Sequence, residues 1–160
     1  MSKLPRRLVA VTGTGAVCAL VAIGGTALGA PNAGKHDSGT VNAAITHTVG
    51  PTEYIAGNSS DKLLGSGAVT YTAKVGTGAT PGTLAVTANV TLFTKTGSLS
   101  GKATATLTTN KDGSVTFSNG KINLNKGAGL QKGHSFKGTF TGTGTSATGP
   151  YTFHDSGTYK

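Results

Sequence analysis

Five carboxylates are the only acidic side chains of this 160-residue chain, and they limit the acid–base chemistry that it can offer. Asp61 and Asp112 stand in turn-like sequence, where Asp side chains commonly bond nearby backbone. Asp37 belongs to a predicted flexible lead-in. Glycoside hydrolysis needs two carboxyl groups that converge, and nothing in the sequence brings the remaining pair, Glu53 and Asp155, together. The sequence therefore gives no support to a hydrolase of that kind.

Glu53, followed by Tyr54, is the best candidate for chemistry in a pocket. It is the only glutamate of the chain, and it lies near an early predicted strand. A lone carboxylate at the mouth of a barrel acts as a base or orients a ligand. The alternative interpretation is an exposed loop residue, which is more common for a single unpaired group.

The histidines and serines do not form a recognisable catalytic or metal-binding pattern. The four histidines lack the spacing of metal ligands: His36, His47, His134 and His154. His47 shares the strand parity of Val41 and Ile45, so it is predicted to be a core or rim histidine that points inward. No G-x-S-x-G nucleophile elbow is present. We therefore predict no metal site and no cofactor.

The first 29 residues are typical of a signal peptide. Lys3, Arg6 and Arg7 precede an uncharged apolar stretch, which ends at the small-residue site Ala27-Leu28-Gly29. We predict a signal peptide over residues 1–29, a flexible lead-in over 30–38 and one domain over 39–160. The alternative is a membrane anchor, since about 20 apolar residues suffice to span. Cleavage would leave no stable membrane span, no cysteine, and a protein that is secreted or held in the cell envelope.

The charge of the mature chain indicates which partners to expect. The signal peptide takes three of the 14 basic residues, which leaves 11 lysines against five acidic residues, or a net charge of +6. Arginine is the usual choice for reading phosphate and guanine, so its absence argues against a nucleic-acid partner. The lysines are scattered along the sequence, which favours a role in solubility and edge protection. The alternative is weak attraction to anionic envelope polymers.

Apolar and polar residues alternate with a period of two along the mature chain, which predicts strands. Val41, Ala43 and Ile45 share one face, and the longest run places Leu84 to Leu92 on one face. Asp112-Gly113 and Asn119-Gly120 are typical of tight hairpin turns, and residues 57–61 are predicted to form a loop. The fold is therefore predicted to be all-β, a closed antiparallel barrel of about eight strands, with a sandwich as the second choice.

The C-terminal third resembles the allene oxide cyclase and dirigent-like barrel families. The resemblance lies in the turn Gly127-Ala128-Gly129-Leu130-Gln131-Lys132-Gly133, in Phe136, and in the closing strand Tyr151-Thr152-Phe153 with Gly157. The sequence departs from the families at His134-Ser135, where they commonly have a small residue and another glycine. The resemblance implies an eight-stranded barrel with a central pocket, often trimeric, and an activity of the cyclase or dirigent kind.

Three functional interpretations follow from these observations. The first is a barrel, without strong catalysis, that binds a small apolar or amphipathic molecule. Its pocket residues are predicted to be Tyr54, Tyr71, Tyr151 and Phe153, with Glu53 or His134 as polar anchors. The second is a cyclase-like or dirigent-like enzyme, and the third is a protein whose outer Thr/Lys surface contacts the envelope or a glycan. A hollow barrel with a buried carboxylate favours the first two, whereas a filled barrel favours the third.

Overall fold

Eight antiparallel strands follow one another around a closed barrel, each paired with its neighbours in the chain. The structure is a computed structural model that describes Gly34–Lys160. The predicted signal peptide and the first residues of the lead-in lie outside this part. The strands are β1 (Lys35–Val49), β2 (Thr52–Asp61), β3 (Gly65–Thr77), β4 (Thr83–Thr94), β5 (Gly97–Thr109), β6 (Val115–Gly129), β7 (Phe136–Gly144) and β8 (Tyr151–Tyr159). The predicted eight-stranded antiparallel barrel is confirmed, and closure distinguishes it from a sandwich. Among the described residues, no helix has the length and apolar character needed to cross a membrane.

The barrel closes where the first strand pairs with the last. β1 pairs with β8 from Lys35 opposite Tyr159 to Ala43 opposite Tyr151. The end of the predicted lead-in, Lys35 to Ser38, is therefore the beginning of β1 and not a flexible segment. These residues are polar and show no apolar alternation, so only their pairing with β8 reveals the strand.

The interior is built from the apolar faces that the period-two pattern predicts. The buried side chains come from all eight strands and form one cluster. Threonines such as Thr70, Thr104 and Thr141 alternate with them along the strands and face outward. Leu99 and Val115 are the most completely buried apolar side chains of the cluster, and its largest members are aromatic: Phe117, Phe136, Tyr151 and Phe153. Small inward residues occupy part of the wall: Ala73, Ala88, Ala103 and Ala105.

Three further predictions from local sequence were wrong. Asn119-Gly120 is not a hairpin turn: β6 continues through it, and a register shift against β7 marks a bulge in which Asn119 has a φ of 53°. Residues 57–61 are not a loop but the end of β2. A second irregularity, between Ile45 and His47, reverses the alternation in β1, so His47 is exposed and does not point inward.

The two ends of the barrel differ in chemistry. One end holds the connections β2–β3, β4–β5 and β6–β7 together with the first residues of β1 and the last residues of β8. Asp37 and Asp61 lie in the strands at this end, which we call the acidic end. The opposite end holds the other four connections, among them the β5–β6 turn with the exposed Asp112, and the half-buried Glu53.

Candidate functional site

Three aspartates from β1, β2 and β8 meet inside the barrel at the acidic end. Gly39 of β1 is paired with Asp61 of β2 on one side and with Asp155 of β8 on the other. Asp37 lies two residues before Gly39 on the same face of β1, and it is completely buried. The closure of the sheet therefore places three carboxyl groups around one backbone position.

Gly39 leaves the space that two of these carboxylates occupy. A Cβ built on Gly39 would overlap Asp61 Oδ1 and lie 3.2 Å from Asp155 Oδ2. The backbone of Gly39 does not adopt a positive φ, so the glycine is required by the close approach and not by conformation. The oxygens of Asp61 and Asp155 thus share one small volume beside β1.

Several polar atoms of the site have no hydrogen-bond partner. Asp37 Oδ1 accepts hydrogen bonds from the N–H groups of Ser38 and Leu63, at 2.9 and 3.1 Å. Its Oδ2 has no partner, and neither do Asp155 Oδ1 and the hydroxyl of the buried Ser59. Each such group costs about 1–3 kcal/mol when it is left unsatisfied. A buried site with three of them has unused capacity to bind hydrogen-bond donors.

The pKa values of Asp61 and Asp155 are raised, because burial disfavours the charged forms of their carboxyl groups. Burial, followed by the charges of Asp155 and Asp37, raises the pKa of Asp61 to about 7. The Ser59 hydroxyl, which makes no hydrogen bond of normal geometry, lowers the pKa of Asp61 by less than burial and the two charges raise it. The pKa of Asp155 is also raised, first by burial and then by the charge of Asp37. The cluster therefore retains a proton near neutral pH.

An apolar cavity adjoins these carboxylates in the middle of the barrel. Its volume is about 50 Å³, and a second space of about 30 Å³ lies next to it. The cavity is lined mainly by aliphatic and aromatic side chains, among them Tyr71 and Phe153, and by Asp155. The second space is lined by Ser59 and Asp61, and it shares Tyr71 and Asp155 with the first. The two spaces together form a short apolar chamber that ends in oxygen atoms.

Tyr71 connects the chamber with the carboxylates. Its ring lines both spaces and lies 6.0 Å from the ring of Phe153, measured between centroids. Burial raises the pKa of the Tyr71 phenol far above its ordinary value, and the charges of Asp155 and Asp61 add to this effect. Tyr71 is therefore a neutral phenol that offers one O–H donor in a site otherwise supplied with acceptors.

Of the residues predicted for the site, Tyr71, Tyr151 and Phe153 lie together inside the barrel. Tyr71 and Phe153 line the cavity. Tyr151 is buried behind Phe153, with 6.0 Å between the two ring centroids, and its hydroxyl donates to the carbonyl of Ala147. Burial and then the charge of Glu53 raise the pKa of Tyr151 to about 12. Tyr151 therefore supports the wall and does not face the chamber.

The structure does not bring the other predicted residues to the chamber. Glu53 is half-buried at the opposite end of the barrel, where burial raises its pKa. Tyr54 stacks on His47, with 4.2 Å between the ring centroids. His134 is exposed in the β6–β7 connection, where it stacks on Tyr159 at 5.1 Å. None of these three residues lines the two spaces described above.

The residues that the sequence interpretation missed are Asp37, Asp61, Asp155 and Ser59. A usable signal was present for two of them: Asp155 shares the inward parity of Tyr151 and Phe153, and Asp37 shares that of Val41. Within residues 34–160, no group of three or more His, Cys, Asp or Glu side chains is placed to hold a metal ion.

The outer surface of the barrel is positively charged, in contrast to the aspartates inside it. Lys102 of β5 is paired with Asn123 of β6, which is paired in turn with Lys137 of β7. Lys121 lies two residues from Asn123, and all three lysines line one groove, whose described lining includes no acidic residue. We call the outer surface around Lys102, Lys121 and Lys137 the basic face. Lysines that are scattered in the sequence are thus gathered by the register.

No known protein family, no curated protein and no solved structure matches this chain. The geometry of the described residues is therefore the basis for any functional conclusion.

Proposed function

We propose that this barrel binds a small amphipathic molecule in its interior, with the polar group of the ligand at the acidic end. The observation that carries the proposal is the chamber, whose apolar wall ends at oxygens of Ser59 and Asp155 that have no hydrogen-bond partner. Binding sites for small molecules commonly combine an apolar wall with a few polar groups that fix orientation. A ligand would supply the missing hydrogen bonds and cover the wall at the same time.

The volume of the chamber sets the size of the ligand. Pockets for drug-sized molecules measure about 300–1,000 Å³, whereas the two spaces measure about 50 and 30 Å³. An engineered cavity of about 150 Å³ holds benzene, so by proportion the chamber accepts roughly three or four non-hydrogen atoms. The ligand is therefore a short-chain molecule, or the end of a longer molecule that extends out past the half-buried Asp61.

The experiment is an NMR titration of the isotope-labelled protein with three-carbon molecules that differ only in their polar group. We expect saturable changes at the amides of Val41, Tyr71 and Asp155. The variant Ala105→Leu fills the chamber and should abolish them, because Ala105 lines the cavity. Thr106→Leu adds a similar side chain at the neighbouring outward position and should leave binding unchanged. Binding that survives Ala105→Leu as well as Thr106→Leu would contradict an interior site.

An enzyme of the cyclase or dirigent kind is less well supported. A cyclisation needs the reacting part of the substrate inside the site, and the present volume accepts only a fragment of a larger molecule. The resemblance to those families remains a proposal. Export through the predicted signal peptide and a homotrimeric state remain proposals as well.

A second candidate function is attachment to an anionic polysaccharide through the basic face. All 11 lysines of residues 34–160 are exposed, whereas Asp112 is the single exposed acidic residue of that part. The outer surface is therefore more basic than the net charge indicates. Charges gathered in this way attract polyanions, and such attraction weakens as salt is added.

The test of this candidate compares two triple variants with equal loss of charge. Lys102→Gln, Lys121→Gln and Lys137→Gln together remove the basic face, while Lys62→Gln, Lys95→Gln and Lys111→Gln remove three lysines from turns. We expect the first set alone to abolish binding to a carboxylated polysaccharide column at low salt. Equal loss in both sets would indicate non-specific attraction by net charge. Equally tight binding to DNA would contradict the choice of polysaccharide.

A further inference from the structure

We infer that the polar group of the interior ligand is an ammonium, so that the barrel takes a short primary amine or the aminoalkyl end of a longer molecule. This inference rests on the proposed function and names the chemical class of its ligand. It follows from the kinds of atoms that surround the end of the chamber.

The end of the chamber presents oxygen atoms that lack donors. Asp155 Oδ1 and Ser59 Oγ have no hydrogen-bond partner, and Asp61 lines the same space. Ser59 is only 4% exposed, so water outside the barrel does not satisfy its hydroxyl. An ammonium has three N–H donors and no acceptor. It matches three oxygens from Asp61, Asp155 and Ser59.

Other polar groups of similar size match these atoms less well. A carboxylate or phosphate would be repelled by Asp37, Asp61 and Asp155, which lie together at this end. An alcohol has one donor and would leave the other oxygens unsatisfied. A metal ion such as Ca²⁺ requires six to eight oxygen ligands, and the remaining wall of the smaller space is largely aliphatic and aromatic. The ammonium is the group that the described residues favour.

The rest of the chamber suits the alkyl part of such a molecule. Its wall beyond Asp155 is apolar and includes the small side chains of Ala73, Ala88 and Ala103. The ring of Tyr71 lines both spaces, and an aromatic ring beside an ammonium adds a favourable interaction. A chain of about three carbons fills this volume by the proportion with benzene given above.

Binding of an ammonium is coupled to the protons of the carboxyl cluster. The cation favours the charged carboxylates, so it displaces the proton that Asp61, with its pKa of about 7, holds near neutral pH. Two other titratable groups face the same carboxylates: Asp37 from β1 and the neutral phenol of Tyr71 from β3. We therefore expect amine affinity to increase from about pH 5 to about pH 8 and proton release on binding, measurable by calorimetry in buffers of different ionisation enthalpy.

The decisive experiment titrates the purified protein with propylammonium, 1-propanol and propionate near neutral pH. We expect propylammonium to bind on the order of 10- to 100-fold more tightly than 1-propanol, the range for hydrogen bonds to charged groups, and propionate not to bind. If the alcohol binds as tightly as the amine, the inference is overturned while the proposed function stands. If none of the three binds, the proposed function itself is refuted.

Substitutions at the end of the chamber test whether the preference for propylammonium over 1-propanol arises there. Asp155→Asn should remove most of the preference for propylammonium over 1-propanol and retain alcohol binding. Ser59→Ala leaves every carboxylate in place and should weaken amine binding several-fold, which keeps the test valid if Asp155→Asn fails to fold. Asp112→Asn removes an exposed carboxylate of the β5–β6 turn and is the matched control. An amine preference that is unchanged in both Asp155→Asn and Ser59→Ala would overturn the assignment.

Discussion

Replacing Asp61 by asparagine should change the pH dependence of stability in a direction that is unusual for an aspartate. The pKa of Asp61 is raised from 3.8 to about 7 in the folded protein. Between these values the folded state binds more protons than the unfolded state, so the free energy of unfolding falls as pH rises. The stability associated with protonated Asp61 is fully present below the unfolded pKa, and it is lost as pH rises through the folded pKa. The amide side chain of the variant cannot ionise, so the variant escapes this loss.

The magnitude follows from the same two values. Each pKa unit corresponds to about 1.4 kcal/mol, so full conversion of the change in pKa gives an upper bound of about 4 kcal/mol. Asp61 is half-buried, and solvent screening reduces this figure to on the order of 2 kcal/mol. For a domain of this size that corresponds to a rise in Tm of roughly 5–10 °C for Asp61→Asn above pH 7. At about pH 4 the two proteins should melt within about 2 °C of each other, since Asp61 is then neutral in the folded wild-type protein, as the amide is in the variant.

The assay is thermal and urea unfolding of the wild-type protein and of Asp61→Asn at both pH values, followed by circular dichroism. The control Asp112→Asn should behave in the opposite sense, because hydrogen bonds from Ser114 lower the pKa of Asp112 and so stabilise the fold above its ordinary pKa. The reasoning is refuted if Asp61→Asn destabilises the protein at high pH. It is equally refuted if the wild-type protein gains stability from about pH 4 to pH 7 while Asp61→Asn does not.

Three further substitutions test the close approach at Gly39, the position of Glu53 outside the site and the packing of the core. Gly39→Ala should destabilise the barrel by about 1–3 kcal/mol through overpacking and abolish amine binding in calorimetry. The control Gly76→Ala should do neither, because a Cβ added at Gly76 meets no atom within 4 Å. Glu53→Gln should leave amine binding unchanged. A spectroscopic titration of this variant should show a lower pKa for Tyr151, because its phenol no longer faces the charge of Glu53. A loss of amine binding would indicate that Glu53 belongs to the binding site. Leu99→Ala removes a fully buried side chain and should cost about 2–5 kcal/mol in urea unfolding; a loss under 1 kcal/mol would contradict the packing.

The sequence allowed the fold to be predicted because its signals are local. Alternation such as that of Val41 and Ala43 identifies strands, and turn residues such as Asp112-Gly113 separate them. The failures were also local. Asn119-Gly120 supplies the same backbone conformation to a bulge as to a hairpin, and only the neighbours β5 and β7 decide which one forms.

The site could be predicted only in part, since it depends on register between distant strands. The inward aromatic residues Tyr71 and Phe153 follow from alternation. Asp61 and Asp155 meet because Gly39 is paired with both, and a single sequence does not encode that pairing in any local pattern. The basic face has the same origin, since Lys102 and Lys137 become neighbours through Asn123.

The closing pair β1–β8 has a consequence for folding kinetics. It joins residues more than 100 positions apart, as between Thr40 and His154, whose side chains lie 3.2 Å apart, whereas every other pair joins strands that are consecutive in the chain. Contacts of high sequence separation form late, because loop closure must precede them. Asp37 and Asp155 come from these two strands. An open intermediate with the other seven strand pairs formed thus lacks the cluster, and amine binding reports specifically on the final closure of the barrel.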